Sequence, residues 1–357
     1  MDNQEQPGIG SRIKTQLHRL YRALPFDQRR SVTIIGSGSW GTALAKVLLE
    51  QCASIVWYMR SEEKIAEFKK NKHNPTYLSS VRFDTSRIDF VSDINQAVER
   101  SAIILFVTPS PYLKTHLQQL TLPLSNKIVI SAIKGIIPGE NLICSDFFHQ
   151  VYNVPEEQIV ILSGPSHAEE IALNRLTYLT IASVNLSLAR RVAQLFDTQY
   201  ITTSTSVDVN GIQYAAVMKN VYAIAAGICH GLKYGDNFKA VLVAASVREM
   251  KTSLRYFSSL SRNIDDSVYL GDLLVTCYSQ FSRNYIFGTM IGRGYSVRNA
   301  QMEMHMIAEG YYGAKCLHVC NKRLNRDDMP ILSAVYNILY HSKPARQEIE
   351  HLTTMLR

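Results

Sequence analysis

The sequence predicts an α/β protein in two parts, a doubly wound parallel sheet followed by an all-α domain. Three observations carry that prediction. Short β-branched apolar runs alternate with helix-period stretches from residue 31, a Gly36-Ser37-Gly38-Ser39-Trp40-Gly41 string stands where the first run ends, and alanine-rich helical stretches dominate beyond about Ser204. A length of 357 residues suits two domains.

The elements follow in order. Ser31–Ile35 reads as the first strand, with a helix from about Ser39. Ser54–Tyr58 reads as the second strand and leads into a charged helix. Ile103–Val107, Lys127–Ile133 and Gln158–Leu162 complete the apolar runs. Runs of this kind are buried on both faces, so helices are needed above and below a parallel sheet. Asn210–Ile228 and Phe238–Phe257 then carry apolar faces at helical spacing, which starts an all-helical unit near residue 206. No repeat or low-complexity tract interrupts either part.

Composition narrows the class. A hydrophobic content of 46% excludes disorder as the main state. Asp2 and Glu5 stand where a signal peptide carries basic residues, and no apolar run approaches the roughly 20 residues that span a bilayer, so a soluble, cytoplasmic chain without stable membrane insertion is expected. The first thirty residues hold six basic and three acidic side chains around Leu17, Leu20, Tyr21 and Leu24. They read as a short amphipathic helix that packs on the body or touches a membrane surface or partner. The net charge of +8 fits a basic surface or a pocket for a phosphorylated small molecule. Nucleic acid is not expected, because no basic stripe with interleaved aromatics occurs.

Six scattered cysteines suit a reducing compartment. No metal is expected even at Cys316-Leu317-His318-Val319-Cys320, where the cysteines share a helix face and His318 points elsewhere.

The glycine string has the context a dinucleotide demands, since it joins a strand to a helix. Gly36 makes the tight turn, Gly38 leaves room for a pyrophosphate, Gly41 allows close helix–strand packing, and the helix N-terminus offers free N–H groups. The sheet is therefore expected to be Rossmann-like, with an N-terminal extension at 1–30, a dinucleotide-binding domain at 31–205 and a helical substrate domain at 206–357. An acid for the ribose hydroxyls is usual at the end of the second strand, yet Arg60 stands there, which suits a 2′-phosphate. Glu62 and Glu63 follow closely. NAD and NADP both remain open, with NADPH slightly favoured.

Ser131-Ala132-Ile133-Lys134-Gly135 brings a lysine to the carboxyl edge of a core strand, where open α/β sheets bind ligands. Ser163-Gly164-Pro165-Ser166-His167-Ala168 closes another strand with a compact loop of donors, or with no more than a turn. Lys219-Asn220 lies inside an apolar helix, where an unpaired charge costs several kcal/mol, so Lys219 is the best internal candidate for a proton-transfer group. Asp272 precedes Ser282-Arg283-Asn284 by ten residues. The first supplies an acid to orient the lysine, the second a polar fork for a phosphate.

In their order these strings resemble one family, the soluble NAD(P)-dependent glycerol-3-phosphate dehydrogenases. The matching text is GSGSWGTALA, WYMR, NPTYL, TPS, AIKGI, LSGPSHAEEIA, KNVYAIAAGICHGL, YGDNFKA, GDLLVTC, SRNYIFG and AEGYYGA, over about residues 31–316. The resemblance implies hydride transfer between NAD(P)H and dihydroxyacetone phosphate, giving sn-glycerol 3-phosphate for glycerophospholipid synthesis, by a homodimer. It makes Lys219 the proton donor or acceptor, Asp272 its orienting acid and Lys134 a substrate-binding partner that also borders the cofactor. Ser282, Arg283 and Asn284 hold the phosphate, while Gly164, Ser166, Asn220 and Thr276 line the substrate side. Gly36, Gly38, Ser39, Trp40, Gly41, Arg60, Ala168, Arg283 and Glu309 match cofactor contacts. A lysine with its reference pKa of about 10.4 is protonated at neutral pH, which favours the reducing direction.

The chain departs from the family pattern at His167 for phenylalanine, Gln213 for glutamate, His230 for an acid, Lys233 for glycine, Tyr278 within TCTS, Tyr285 for arginine and Gly313 for threonine. None removes a residue of the core chemistry. Two alternatives share the architecture: a hydroxyacid or ketopantoate-type reductase, and a dinucleotide sensor without turnover.

Overall fold

The computed structural model describes residues 32–304, 306–324 and 328–356. The helix expected within residues 1–30 lies outside them. Among the described residues, eight strands form one sheet: β1 Val32–Ile35, β2 Ile55–Tyr58, β3 Ile88–Val91, β4 Ile103–Phe106, β5 Ile128–Ser131, β6 Ile159–Ser163, β7 Thr177–Ala182 and β8 Ile201–Ser206. Their order is β3-β2-β1-β4-β5-β6-β7-β8. Winding starts at β1 and reverses between β1 and β4, so a crevice opens at the carboxyl ends of those two strands.

Seven helices interleave with the strands: α1 Ser39–Gln51, α2 Glu62–Asn71, α3 Ile94–Glu99, α4 Ser110–Leu117, α5 Cys144–Tyr152, α6 Ala168–Ala172 and α7 Leu186–Ala193. The strand between α1 and α2 carries Trp57, whose Nε1–H donates to the Gly36 carbonyl at 3.0 Å. Polar caps start several helices, Ser61 accepting from the Lys64 amide and Asp93 from those of Asn95 and Gln96.

The expected sheet differs from the observed one in two respects. β3, β7 and β8 carry no continuous apolar run. β3 and β8 are the sheet edges, and the polar Ile201-Thr202-Thr203-Ser204-Thr205-Ser206 is half solvated. The sheet is also not wholly parallel, because β7 runs antiparallel to β6. The connection between them, residues 164–176, carries only the short α6.

The remainder is helical: α8 Val209–Gly231, α9 Asp236–Phe257, α10 Asp272–Tyr278, α11 Arg283–Gly292, α12 Val297–Glu303, α13 Glu309–Arg323, α14 Pro330–Tyr340 and α15 Ala345–Met355. Asp208 caps α8 through the Gly211 amide and is gripped by Arg262 and the Tyr269 hydroxyl. Side chains of opposite sheet faces enter two cores. Ile34, Trp57 and Leu105 belong to one. Ile35, Phe106, Val129 and Ile159 belong to the other, which continues without a break into Ile212, Ala215 and Val221 of α8. That continuity fixes α8 against the sheet edge that carries the crevice.

No helix among the described residues is long and apolar enough to cross a membrane. No described group of three or more His, Cys, Asp or Glu residues could hold a metal ion. His318 stacks on Tyr336 with ring centroids 3.7 Å apart.

Candidate active site

The cleft lies between the β1–α1 loop on one side and α8, α10 and α11 on the other. On the sheet side, Gly36 has φ 128°, a conformation that favours glycine, and a Cβ at Gly41 would come within 2.4 Å of the Gly36 carbonyl. A Cβ at Gly38 meets nothing within 4 Å, so the space the string leaves open is real. Gly38 caps α1 without a side chain, leaving the first amides of that helix free for an anion. Trp40 lines the cleft with a buried Nε1–H that has no acceptor. The cradle and the orphaned donor fit a pyrophosphate.

Lys134, just beyond β5, donates to the Gly164 carbonyl at 2.8 Å and to Ser166 Oγ at 3.2 Å, and its Nζ is 3.5 Å from Asp272 Oδ2. Gly164 reaches this position with φ 122°. Lys219 is buried in the middle of α8. Its Nζ lies 2.5 Å from Asp272 Oδ1 and 3.1 Å from Thr276 Oγ1. A π-helical turn at Ser267–Gly271 runs directly into α10, which begins at Asp272. Burial brings the Lys219 pKa down to about 8, against the pull of the Asp272 carboxylate and with help from the Lys134 charge. The ammonium therefore still predominates at pH 7, and the amine comes within reach about one pH unit higher.

Ser282 Oγ accepts from the Tyr285 amide as the cap of α11, and Arg283 extends back to Ser39 Oγ at 2.5 Å. Arg283 therefore links the helical side to the glycine loop. Asn284 and Asn220 form a chain: the Gly310 amide donates to Asn284 Oδ1, Asn284 Nδ2 to Asn220 Oδ1, and Asn220 Nδ2 to the Lys134 carbonyl, at 2.8, 2.9 and 2.9 Å. Their amides brace the site from behind while bordering the cleft. Ala168 begins α6 at the cleft wall, and Glu309, at the start of α13, accepts from Ser110 Oγ. Burial pushes the Glu309 carboxyl up.

Arg60 is not among these residues. It is exposed just beyond β2, near His116, whose pKa burial and the Arg60 charge hold down to about 4. His116 faces Tyr58 edge-on and bonds Thr108 at the β4 edge.

Sequence reasoning assigned no role to Asn74. Its side chain is buried, donates to the Ser37 carbonyl and Thr42 Oγ1, and accepts from the Thr76 and Tyr77 amides, so it clamps the glycine loop. An asparagine directly before Pro75 is a turn signal that could have drawn attention to it. Ser110, between Pro109 and Pro111, carries a similar signal.

The departures from the family pattern also find places. His230, Tyr278 and Tyr285 gather about Lys239, whose Nζ is 4.2 Å and 4.7 Å from the two tyrosine rings. Lys233 adopts φ 66°, a glycine-like conformation. Gln213 donates to Ser145 Oγ and accepts from its amide. At Gly313 a Cβ would lie 2.9 Å from Val217 of α8. His167 lines the cleft.

Fold and cleft together define a class, the nicotinamide-dependent dehydrogenases whose Rossmann-like sheet is followed by a helical region. Residues 31–189 match the family described as NAD-dependent glycerol-3-phosphate dehydrogenase N-terminus, and residues 208–350 its C-terminus. The chain belongs to the NAD-dependent glycerol-3-phosphate dehydrogenase family. It is 34% identical over 331 residues to a glycerol-3-phosphate dehydrogenase [NAD(P)+] of Lacticaseibacillus paracasei, covering 90% of this chain and 93% of that one. To the same-named protein of Chlorobium phaeobacteroides it is 36% identical over 326 residues, covering 90% and 97%. The crystal structure of glycerol-3-phosphate dehydrogenase from Coxiella burnetii superimposes with a TM-score of 0.84 at 27% identity, covering 92% of this chain and 99% of that one.

Proposed function

We propose that this protein is a glycerol-3-phosphate dehydrogenase, reducing dihydroxyacetone phosphate to sn-glycerol 3-phosphate and running reversibly. The observation that carries this reading is the buried Lys219–Asp272 pair at the wall of a cleft whose opposite wall is a dinucleotide cradle. Bound NADH or NADPH supplies or takes up the hydride at the substrate carbon. Lys219 holds the proton for the developing alkoxide, and its ammonium polarises the ketone before transfer. Asp272 and Thr276 restrict where Nζ can point. Lys134 adds a second positive charge, and Arg283 offers a planar fork to the phosphate. Asn220 and Asn284 keep α8, α11 and the Lys134 loop in register.

NADPH is accepted at least as well as NADH in this reading. Arg60 stands free for a 2′-phosphate, while Glu62 accepts from Ser92 Oγ at 3.1 Å. The family resemblance further implies a cytoplasmic homodimer that supplies glycerophospholipid synthesis, with 31–205 as the dinucleotide-binding unit and 206–357 as the substrate unit.

The test is to mix purified protein with NADH or NADPH and dihydroxyacetone phosphate and follow the absorbance of the reduced nicotinamide. Ketone-dependent oxidation is the expected result. Cofactor binding without oxidation overturns it in favour of a sensor, and faster oxidation with a 2-keto acid in favour of a hydroxyacid-type reductase.

A further inference from the structure

The cleft is rich in donors, and most of its side-chain acceptors already hold a protein group. Lys134, Lys219 and Arg283 can only donate. Asp272 spends one carboxylate oxygen on each lysine, Asn220 Oδ1 is taken by Asn284, and Glu309 Oε2 by Ser110. Ser166 Oγ accepts from Lys134 and donates to the Gly164 carbonyl. A three-carbon ketone phosphate offers an anion and a carbonyl to the donors, but its free hydroxyl needs an acceptor.

His167 supplies the missing type of group. Its ring lines the cleft beside Phe281, with centroids 5.9 Å apart, and the Val275 carbonyl of α10 lies against it. Nε2 is closed off from solvent and has no hydrogen-bond partner. Burial, then the Lys219 and Lys134 charges, hold its pKa down to about 4, so the imidazole is neutral at pH 7. A neutral imidazole has one N–H and one bare nitrogen. An N–H turned to the Val275 carbonyl leaves the other nitrogen as an acceptor for the cleft.

We propose that His167 is a specificity-determining residue, accepting the hydrogen bond of the substrate's free hydroxyl and so selecting a hydroxymethyl ketone over a methyl ketone of the same phosphate. The inference rests on the proposed activity and deepens it. Glu169 is the competing acceptor at the cleft wall.

The experiment compares kcat/KM for dihydroxyacetone phosphate with that for acetol phosphate, in which a methyl group replaces the hydroxymethyl group. The parent protein prefers dihydroxyacetone phosphate. His167→Phe lowers that ratio about ten-fold or more through loss on the hydroxylated substrate alone, because a buried hydroxyl is left unpaired. His167→Gln returns an acceptor near the Nε2 position and restores most of the ratio. Quenching of tryptophan fluorescence by NADPH, unchanged in each variant, reports an intact fold. An unchanged ratio in His167→Phe overturns the inference alone, as does a ratio that collapses in Glu169→Gln instead. A parent protein that oxidises NADPH with neither ketone overturns the proposed activity itself.

Discussion

Lys219 is the one cation set into the apolar length of α8, and its surroundings decide how it titrates. Loss of hydration favours the neutral amine, the Asp272 carboxylate favours the ammonium, and the balance near pH 8 leaves both forms accessible. Ketone reduction needs the ammonium, so its kcat/KM is expected to fall as pH rises through about 8, while alcohol oxidation needs the amine and rises over the same interval. Opposite limbs in the two directions check this, and parallel limbs refute it. Lys219→Met is expected to abolish turnover, a loss on the order of 10²–10⁴, with cofactor affinity within a few-fold. Turnover above a tenth of the parent's ends the assignment. Arg283→Lys should raise KM for dihydroxyacetone phosphate far more than for the unphosphorylated ketone, because an ammonium cannot present two parallel N–H groups. If both substrates suffer equally, Arg283 serves the cofactor loop through Ser39. Arg60→Ala should weaken NADPH selectively, by roughly ten- to a hundred-fold given about 1.5–3 kcal/mol for charge-assisted bonds. A constant NADPH-to-NADH ratio removes Arg60 from cofactor choice.

At the scale of elements, the site depends on how α8, α11 and α13 are held together. The Gly310–Asn284–Asn220–Lys134 chain joins those three helices to the loop after β5. Asn284→Ala is expected to strand the Gly310 amide and the Asn220 oxygen, costing about 1–3 kcal/mol in denaturant unfolding. It should also weaken phosphate binding, since α11 carries Arg283. Unaltered stability with weakened substrate would make Asn284 a direct ligand and not a brace. The same helices explain why three departures from the family pattern occur together. Tyr278 on α10 and Tyr285 on α11 flank the α9 lysine, and His230 on α8 packs on the Tyr285 ring.

At the scale of the whole molecule, Glu249 is a buried charge that ties stability to pH. It is buried on α9, where its carboxyl accepts from the Ile331 and Leu332 amides at the start of α14. Burial still pushes its pKa up to about 7 from 4.5. The folded chain therefore keeps a proton that the unfolded chain releases at this site, and the Glu249 contribution to stability falls as pH rises from about 4.5 to 7, by up to about 3 kcal/mol, against an opposite trend from the buried His116 and His167. Glu249→Gln should flatten that fall when urea unfolding is compared at pH 5 and pH 8. An equal fall in the variant assigns the effect to other groups.

The amino-acid sequence by itself determined the strand–glycine–helix start, the central strands and the helical second half. Those features are local: a run buried on both faces reads as apolar in one dimension, and GSGSWG carries its turn in its own residues. It also singled out Lys219, Lys134, Asp272 and Arg283, because a charge on an apolar helix or at a strand end is visible without neighbours. The edge strands β3 and β8 escaped notice since half of their side chains face water, and the antiparallel β7 since strand direction leaves no periodicity. Only the tertiary structure decided that Asn284 braces the site, that Asn74 clamps the glycine loop and that His167 turns into the cleft. Those roles depend on partners distant in sequence, 37 residues away for Asn74 and 64 for Asn284, and on Phe281 for His167, brought together by a core that runs unbroken from the sheet into α8. The tuned pKa of Lys219 belongs with them, because desolvation is a property of everything packed around a group and of no single residue.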